Sequence, residues 1–356
     1  MRKWQSIWVT GAVSLALLLG ACRQAQAPAD TTQAPAPATA DATSATTAPT
    51  ATPGADPLPS WRDGKNKQDI LAFVKAATTE GGPGFIPPEA RVATFDNDGT
   101  LWAEQPIVQL QFVLQRVAEL AKQKPELAKD PAVKAVLDQN LDFFRDKDGE
   151  KHLMKLLALT STGLSPADFE AAVKAFFAEA KHPKLNVPYK QTTYKPMVEL
   201  LQYLRANGFQ TWILSGGGID FMRPIAESFY GIPPQQVIGS TGEYDVKLQD
   251  GKLAINKAAK VALINDHEGK VAGILTHIGK VPVFAAGNER SAGDIAQLTY
   301  SQTSPYPSFQ LMVNHDDGER EFAYDEKDGA SLAAAKANNW HVVSIRDDWV
   351  EVYAGP

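Results

Sequence analysis

The sequence predicts an α/β protein with a mostly parallel sheet and an inserted helical cap, and three observations support this prediction. A hydrophobic strand at 91–95 runs into an acidic glycine turn. From residue 195 onward, strand and helix patterns alternate, which is typical of βα units in a parallel sheet. Between 107 and 188 the pattern is almost wholly helical. A helical block placed directly after the first strand is expected to cover a site at the end of that strand.

The elements before and within this block follow from apolar spacing. Residues 67–79 carry apolar side chains at helical spacing, including Ile70 and Val74, and predict an amphipathic helix. A break at 81–88 separates this helix from the strand at 91–95. The block itself predicts helices at 107–124, 131–145, 149–159 and 166–180.

The last cap helix has a clear start signal, because Ser165 can cap it and Pro166 suits the first helical position. After the cap we expect a helix at 195–207, a strand at 211–214 and a helix after Gly218 that Pro224 either kinks or starts afresh. The remaining expectations are a hairpin at 243–256 that turns at Asp250 and Gly251, helices at 270–279 and 330–338, and strands at 281–286, 309–313 and 341–345.

The N-terminal segment has the composition of an export signal followed by a linker. Two basic residues precede an apolar run at 7–19, which is too short for a membrane span. Residues 22–58 are rich in Ala, Thr and Pro, and this composition buries too little apolar surface to fold. We expect a signal peptide at 1–21 and a disordered linker at 22–58. The core is then expected at 59–106 and 190–356, with the cap at 107–189.

Cys22 is the only cysteine, and it ends the run Leu-Gly-Ala-Cys. This run resembles the lipobox of bacterial lipoproteins, which implies cleavage before Cys22 and a lipid anchor on that residue. The chain would then be exported and held at the cell envelope, and Arg23 favours the periplasmic side of the outer membrane. With one cysteine, the sequence excludes an internal disulfide. The formal charge of −6 gives no sign of a nucleic-acid partner.

Two aspartates, Asp96 and Asp98, follow the first strand in the run Asp-Asn-Asp-Gly-Thr. If strand geometry continues to Asp98, both carboxylates face one site, and their crowding needs a cation. One carboxylate can then attack phosphorus while the other exchanges protons with the ester oxygen and with water. The pattern predicts a metal-dependent phosphoryl-transfer site, although the same residue types are common in turns.

Two later segments supply phosphate-binding and cationic groups. Ser215 and Gly216 follow the strand at 211–214, and a glycine loop before a helix can bring N–H groups close to a phosphate. Lys270 lies at the start of the next predicted helix and could neutralise the nucleophile and the transferred group. The alternative lysines are Lys257, Lys260 and Lys280.

A third segment, Gly-Asn-Glu-Arg-Ser-Ala-Gly-Asp, follows the strand at 281–286 and offers oxygen ligands. Asn288 and Asp294 are its candidate ligands. Together with Asp96, the main-chain carbonyl of Asp98 and water, they could complete an octahedral magnesium site. A polar loop after a strand is, however, also common without any ligand.

These motifs, in this order, resemble the haloacid dehalogenase superfamily, in particular its phosphoserine-phosphatase-like branch. The resemblance covers the chain from about residue 60 and implies a Rossmann-like core and Mg²⁺. Residue by residue it implies Asp96 as nucleophile, Asp98 as general acid and base, Ser215 and Gly216 as phosphate binders, Lys270 as charge stabiliser, and Asp294 and Asn288 near the magnesium.

The chain departs from that family pattern at two places. The acidic residue of the last motif comes late, and Ala292 stands within the loop. Phosphoserine phosphatases tend to place a glutamate shortly after the first motif, whereas here Glu104 stands one position early and Gln105 occupies the place. Glu104 is a candidate substrate-binding residue, but phosphoserine itself is not predicted.

The expected function is Mg²⁺-dependent hydrolysis of small phosphorylated metabolites through an aspartyl-phosphate. The alternatives are a phosphotransferase, which uses the same intermediate, and a lipoprotein that keeps the fold as a binding or scaffolding module. The sequence specifies no oligomeric state. Among the other residues, Trp102 is expected to line the substrate pocket, and His315 is assigned to a turn.

Overall fold

The structure, a computed structural model, describes residues 55–145, 148–326 and 328–355. The signal peptide predicted at 1–21, the lipidation site at Cys22 and most of the predicted linker at 22–58 lie outside the described residues. Residues 55–58 are described, and Leu58 is fully buried in the core. No helix in the described ranges is both long enough and apolar enough to cross a membrane.

Seven strands form one sheet: β1 Val92–Phe95, β2 Gln210–Gly218, β3 Val237–Gln249, β4 Lys252–Leu263, β5 Phe284–Asn288, β6 Phe309–Asn314 and β7 His341–Ser344. Their order across the sheet is β4-β3-β2-β1-β5-β6-β7. Only the β3–β4 pair is antiparallel among these strands. The carboxyl end of β1 therefore lies between β2 and β5. Open parallel sheets bind ligands beyond the carboxyl ends of their strands.

Eleven α-helices lie in the described ranges: α1 Lys65–Thr78, α2 Val108–Gln123, α3 Pro131–Leu137, α4 Gly149–Ser161, α5 Pro166–Glu179, α6 Lys195–Ala206, α7 Ile219–Tyr230, α8 Glu268–His277, α9 Ile295–Ser301, α10 Ala330–Ala337 and α11 Ile345–Asp348. Helices α2 to α5 form the inserted block. The predicted fold class is confirmed, since the chain forms a Rossmann-like α/β core with a mostly parallel sheet.

The core lies on both faces of the sheet, and every residue of β1 is buried. A strand covered on both faces needs a continuous apolar run rather than an alternating one, and Val-Ala-Thr-Phe is close to that. Phe284 and Phe309 stack at 5.2 Å across neighbouring strands. Phe95 stacks on Phe284 at 5.5 Å. This aromatic packing fixes the central strand and therefore the start of the acidic turn.

Local signals fixed the helix start and the hairpin turn. Ser165 caps α5, because its side chain accepts a hydrogen bond from the N–H of Asp168. Asp250 and Gly251 both have positive φ, 49° and 74°. A two-residue turn with two positive φ angles is the type that matches the twist of an antiparallel hairpin. Both predictions are confirmed.

Other predicted bounds differ from the structure for identifiable reasons. The helix predicted at 131–145 ends at Leu137, where Gln139 has a left-handed φ of 55°, and a 3₁₀ turn follows at Leu141–Arg145. Pro224 neither starts nor ends a helix, because α7 is continuous through it. The strand predicted at 281–286 begins at Phe284, after Pro282, which has no N–H for a sheet ladder.

Candidate active site

The acidic turn carries Asp96 and Asp98 into one pocket at the carboxyl end of β1. The N–H of Asp96 donates to the carbonyl of Ala286 at 2.9 Å, so the strand pairing continues to this residue. Gly99 then reverses the chain at a φ of +75°, a conformation that side chains disfavour. Asp96 is 6% exposed. The sequence expectation that both carboxylates face one site agrees with this placement.

Lys270 brings a buried positive charge to the same place. Its Nζ donates to Asp96 Oδ1 at 2.6 Å and to Asp294 Oδ1 at 2.5 Å. Burial opposes the charged form, but the carboxylates of Asp294 and Asp96 raise the pKa of Lys270 above its ordinary value. The side chain is therefore a permanent cation between two carboxylates. Of the four lysines considered from the sequence, Lys270 is the one that contacts Asp96.

The buried environment changes the pKa of both motif aspartates. Burial first, and then the charge of Asp294, hold the pKa of Asp96 well above its usual range, against the opposing charge of Lys270. Burial also raises the pKa of Asp98, while a hydrogen bond from Trp102 lowers it. For Asp98 this shift favours the protonated carboxyl group, the form that a general acid needs.

Asp294 faces protein donors with both oxygens. Oδ1 accepts from Lys270 and, at 2.6 Å, from Gln297 Nε2. Oδ2 accepts from the N–H of Asn288 at 2.9 Å. The predicted metal ligand Asp294 therefore lies in the pocket, but with its oxygens engaged by the groups that hold Lys270 and the loop.

Asn288 sits directly on the acidic turn. Its Nδ2 donates to the carbonyl oxygen of Asp98 at 3.0 Å and to Glu104 Oε1 at 3.2 Å. A Cβ at Gly99 would lie only 1.8 Å from that nitrogen. The glycine is therefore required for this close approach as well as for its φ. Asn288 and the carbonyl of Asp98, both predicted near the metal, are thus in direct contact.

The glycine loop, residues 215–218, forms another wall of the pocket. It is the end of β2, because the strand predicted at 211–214 continues to Gly218. Ser215 is buried and its Oγ accepts from the N–H of Gly217 at 3.0 Å. Gly216 and Gly217 line the pocket. Gln109, from the first cap helix, accepts from the N–H of Gly218 at 2.9 Å. The cap thus contacts the loop that the sequence assigned to phosphate binding.

Glu104 lies in the pocket wall, but its carboxylate is paired within the protein. Arg290 NH1 lies 3.0 Å from Glu104 Oε2. Tyr324 Oη and Asn288 Nδ2 donate to Oε1. Burial raises the pKa of Glu104, and the charge of Arg290 opposes the shift. The candidate substrate-binding residue therefore supports the pocket wall, with Arg290 at its surface.

The carboxyl ends of the central strands and the loops beside them line a cavity of about 110 Å³. Its lining has five carboxylates against two cations, so the site carries an excess of negative charge. The lining residues are Asp96, Asp98, Glu104, Gly216, Gly217, Asp266, Lys270, Asn288, Arg290, Gly293 and Asp294.

Comparison with known proteins identifies the family. A family model described as haloacid dehalogenase-like hydrolase matches residues 93–274, just over half of the chain. The chain belongs to the haloacid dehalogenase-like hydrolases. No protein among the curated sequences matches it.

Solved structures that are similar to this haloacid dehalogenase-like hydrolase share few residues with it. A functionally unknown protein from Anaerococcus prevotii DSM 20548 is 16% identical, with a TM-score of 0.53 over 78% of this chain and 91% of that one. A protein of unknown function from Bordetella pertussis Tohama I is 17% identical, with a TM-score of 0.46 over 71% and 98%. A phosphoserine phosphohydrolase-like protein from Francisella tularensis SCHU S4 is 15% identical, with a TM-score of 0.38 over 71% and 94%. The likeness to the Anaerococcus protein concerns the fold alone.

The donors in the pocket of this haloacid dehalogenase-like hydrolase fit a magnesium ion. Within the described ranges, no three His, Cys, Asp or Glu side chains form a ready metal cage. Mg²⁺ does not need one, because it commonly uses one or two carboxylates and completes its shell with water and substrate phosphate. The carboxylate of Asp96 and the main-chain carbonyl of Asp98 are hard oxygen donors at this place. Asn288 lies against that carbonyl with its amide nitrogen, while its amide oxygen accepts from the N–H of Arg290. The excess of carboxylates favours a cation there.

Several functional contacts were not predicted from the sequence. Trp102 does not line the pocket, since it is fully buried and donates from Nε1 to Asp98 Oδ1 at 3.0 Å. His315, assigned to a turn, is buried behind the site with Nε2 2.8 Å from the carbonyl of Gly99. Arg290 lies in the last motif, and its charge was the only sequence feature that could have indicated a role in the pocket. Gln109 gave no sequence signal, because it reaches the site only through the packing of the cap.

Proposed function

We propose that this hydrolase cleaves small phosphomonoesters with the help of Mg²⁺, through a covalent phosphoryl ester on Asp96. The single observation that supports this most is the buried ion pair between Asp96 and Lys270, next to a second carboxylate, Asp98. A nucleophile held by a permanent cation, with a separate acid and base beside it, is the arrangement that phosphoryl transfer through a covalent ester requires.

In the first half-reaction Asp96 is the nucleophile. A carboxylate oxygen of Asp96 forms a bond to phosphorus as the bond from phosphorus to the ester oxygen breaks. The electron pair of that bond stays on the leaving oxygen, which takes a proton from Asp98 and departs as an alcohol. The raised pKa of Asp98 leaves it able to hold this proton beforehand.

In the second half-reaction water replaces the enzyme. Asp98, now a carboxylate, takes a proton from water as the water oxygen bonds to phosphorus. The bond from phosphorus to Asp96 breaks, and its electron pair restores the Asp96 carboxylate. The products are the alcohol and inorganic phosphate, and both aspartates return to their starting protonation states.

Lys270 supplies the fixed positive charge for both steps. Asp294 and Gln297 are placed to orient it, because Asp294 accepts hydrogen bonds from both. We therefore assign Asp294 to the positioning of Lys270 rather than to the metal. Magnesium would be held by Asp96 and the main-chain carbonyl of Asp98, with Asn288 supporting that carbonyl, and when bound it would neutralise charge on the phosphate oxygens.

The glycine loop and the cap define the substrate. Gly216 lines the cavity, and we assign its N–H to the phosphate oxygens. Ser215, whose Oγ accepts from the N–H of Gly217, is proposed to donate its hydroxyl proton to the same phosphate. The cavity of about 110 Å³ has room for a phosphoryl group beside Asp96. Gln109 holds the cap against this loop. We therefore propose small phosphorylated metabolites as substrates.

We further propose that the protein works outside the cytoplasm, anchored by lipid at Cys22, on the strength of the lipobox-like run alone. Mass spectrometry of the mature N-terminal peptide tests this directly. The expected result is a chain that begins at an acylated Cys22. A mature chain that retains residues 1–21, or an unmodified Cys22, would refute the anchor without affecting the proposed chemistry.

The enzymatic proposal is tested by phosphate release from p-nitrophenyl phosphate, with and without Mg²⁺. We expect Mg²⁺-dependent release in the wild type, a loss of at least about 1000-fold in Asp96→Asn, and wild-type rates in Asp245→Asn, which changes an exposed carboxylate on the hairpin. Added glycerol separates hydrolysis from transfer, since a transferase would form glycerol phosphate. Equal inactivity of wild type and Asp96→Asn would refute catalysis and favour a binding or scaffolding role.

A further inference from the structure

Trp102 is a buried tryptophan whose indole N–H has a carboxylate of the candidate site as its acceptor. Its Nε1 donates to Oδ1 of Asp98 at 3.0 Å, while the indole ring itself is fully buried. An indole N–H can donate but cannot accept a hydrogen bond. Oδ1 of Asp98 therefore faces a fixed donor and is the less favourable oxygen to carry a proton.

The other oxygen of Asp98 points to the reaction space. A Cβ built on Gly217 would lie 4.0 Å from Asp98 Oδ2, so this oxygen is directed at the glycine loop across the cavity. Gly217 and Asp98 both line that cavity. With Oδ1 held by the indole, Oδ2 is the oxygen that faces a substrate held by the loop.

The main chain of Trp102 is fixed on both sides, which makes its indole a stable reference point. The carbonyl of Trp102 accepts from the N–H of Gly99 at 2.9 Å, and its own N–H lies 3.3 Å from the carbonyl of Asn97. On the other side Trp102 forms an antiparallel bridge with Thr193. The main chain that carries the indole is therefore tied to the acidic turn.

The indole ring also joins the cap to the core. It lies 5.9 Å from the ring of Phe177, in the cap helix α5, and 6.2 Å from the ring of Phe229, in the core helix α7. A buried ring packed between two helices has little freedom to turn. The position of the cap and the orientation of Asp98 are therefore linked through one side chain.

We propose that Trp102 is a positioning residue that fixes the carboxyl group of Asp98, so that the proton is carried and delivered by Oδ2. The proposal rests on the proposed function, in which Asp98 protonates the leaving group. Without the indole N–H the carboxyl group can turn about its side-chain bonds, and proton delivery to the ester oxygen becomes less efficient. Attack by Asp96 on phosphorus needs no such proton and is affected less.

The test is a series of aryl phosphates that differ only in how much their leaving group needs a proton. Trp102→Phe keeps most of the buried ring and deletes the donor. For phenyl phosphate, a poor leaving group, kcat/KM should fall about 10-fold to 100-fold, within the range that general acid catalysis contributes. For 2,4-dinitrophenyl phosphate, which leaves without a proton, the loss should stay below about 3-fold. The dependence of log kcat/KM on leaving-group pKa should therefore become steeper.

Trp340→Phe is the matched control. Trp340 is buried in a separate core cluster, and within the described part of the chain its Nε1 has no hydrogen-bond partner. Trp340→Phe should leave the dependence of log kcat/KM on leaving-group pKa unchanged. A parallel loss across all aryl phosphates in Trp102→Phe would overturn the positioning role and indicate a general structural defect. A wild type without Asp96-dependent activity would instead overturn the proposed function, and the positioning role with it.

A second measurement applies if Trp102→Phe does not fold. Wild-type protein and Asp98→Asn are both labelled with nitrogen-15 tryptophan, and their indole N–H signals are compared. Asp98→Asn leaves a neutral acceptor in place of the carboxyl group, so the chemical shift of the Trp102 indole N–H should change most. The unpartnered indole of Trp340 should not move. If no buried indole signal responded to Asp98→Asn, the hydrogen bond would be absent in solution and the proposal would be wrong.

Discussion

Replacing Gly99 with alanine tests how closely the last motif is pressed against the acidic turn. At a φ of +75° a side chain strains the backbone, which costs about 1–2 kcal/mol. The new Cβ would also lie 1.8 Å from Asn288 Nδ2, so the amide must leave. The hydrogen bonds from Asn288 to the Asp98 carbonyl and to Glu104 would then be lost, at about 1 kcal/mol or less each. We expect Gly99→Ala to lower the free energy of unfolding by about 3 kcal/mol.

Gly81→Ala separates the two contributions. Gly81 has a similar φ of +71°, but nothing lies within 4 Å of a Cβ built there. It should lose only the backbone contribution, about 1–2 kcal/mol. Urea unfolding measures both variants. The Mg²⁺ concentration for half-maximal activity should rise about 10-fold or more in Gly99→Ala and should not change in Gly81→Ala. Equal stability losses with an unchanged Mg²⁺ requirement in both variants would refute the close contact and the role of Asn288.

Three further predictions concern single residues near the site and in the C-terminal segment. Asp294→Asn removes one of the two carboxylates that hold Lys270, so kcat should fall about 100-fold; an unchanged kcat would exclude the positioning role of Asp294. Ala292 has a left-handed φ of 55°, so Ala292→Gly should raise the free energy of unfolding by about 1 kcal/mol, and a loss in urea unfolding would contradict this. Asp317 accepts from the N–H and Nε of Arg320, so Asp317→Asn should destabilise the protein by about 1–3 kcal/mol at neutral pH. Burial opposes the shift, but these hydrogen bonds lower the pKa of Asp317 below 3.8, so the difference from wild type should persist above pH 3.8 and shrink as the pH falls further; a difference that grows in acid would be contrary to this assignment.

Much of the fold could be predicted from the sequence because its signals are local. Helix starts such as Ser165 and turns such as Asp250–Gly251 depend on a few neighbouring residues, and the structure confirms both. The alternation of strands and helices was sufficient for the fold class. The left-handed Gln139, which ends α3 early, gave no such signal, because glutamine has no special preference for that conformation.

The candidate site was predicted in part. Contacts between residues close together in the sequence could be predicted, whereas contacts between distant residues could not. Asp96 and Asp98 are neighbours in sequence, so strand geometry alone could place them in one pocket. Lys270 lies 174 residues from its partner Asp96. The sequence therefore left it as one of four candidate lysines. The indole contact of Trp102 was missed because proximity to the motif suggested a pocket wall instead of a buried donor. His315 was missed because its contacts come from three-dimensional packing.

The central position of β1 affects which fragments of the protein can fold and when the sheet can form during synthesis. The segment 93–274 that carries the family signature contains Asp96 and Lys270, but the neighbour that β1 needs on its other side, β5, begins only at Phe284. A fragment trimmed to that segment would leave the catalytic strand at an open sheet border, a surface prone to self-association. During synthesis, nearly two hundred residues are added after β1 before β5 is made, so β1 can pair on that side only late.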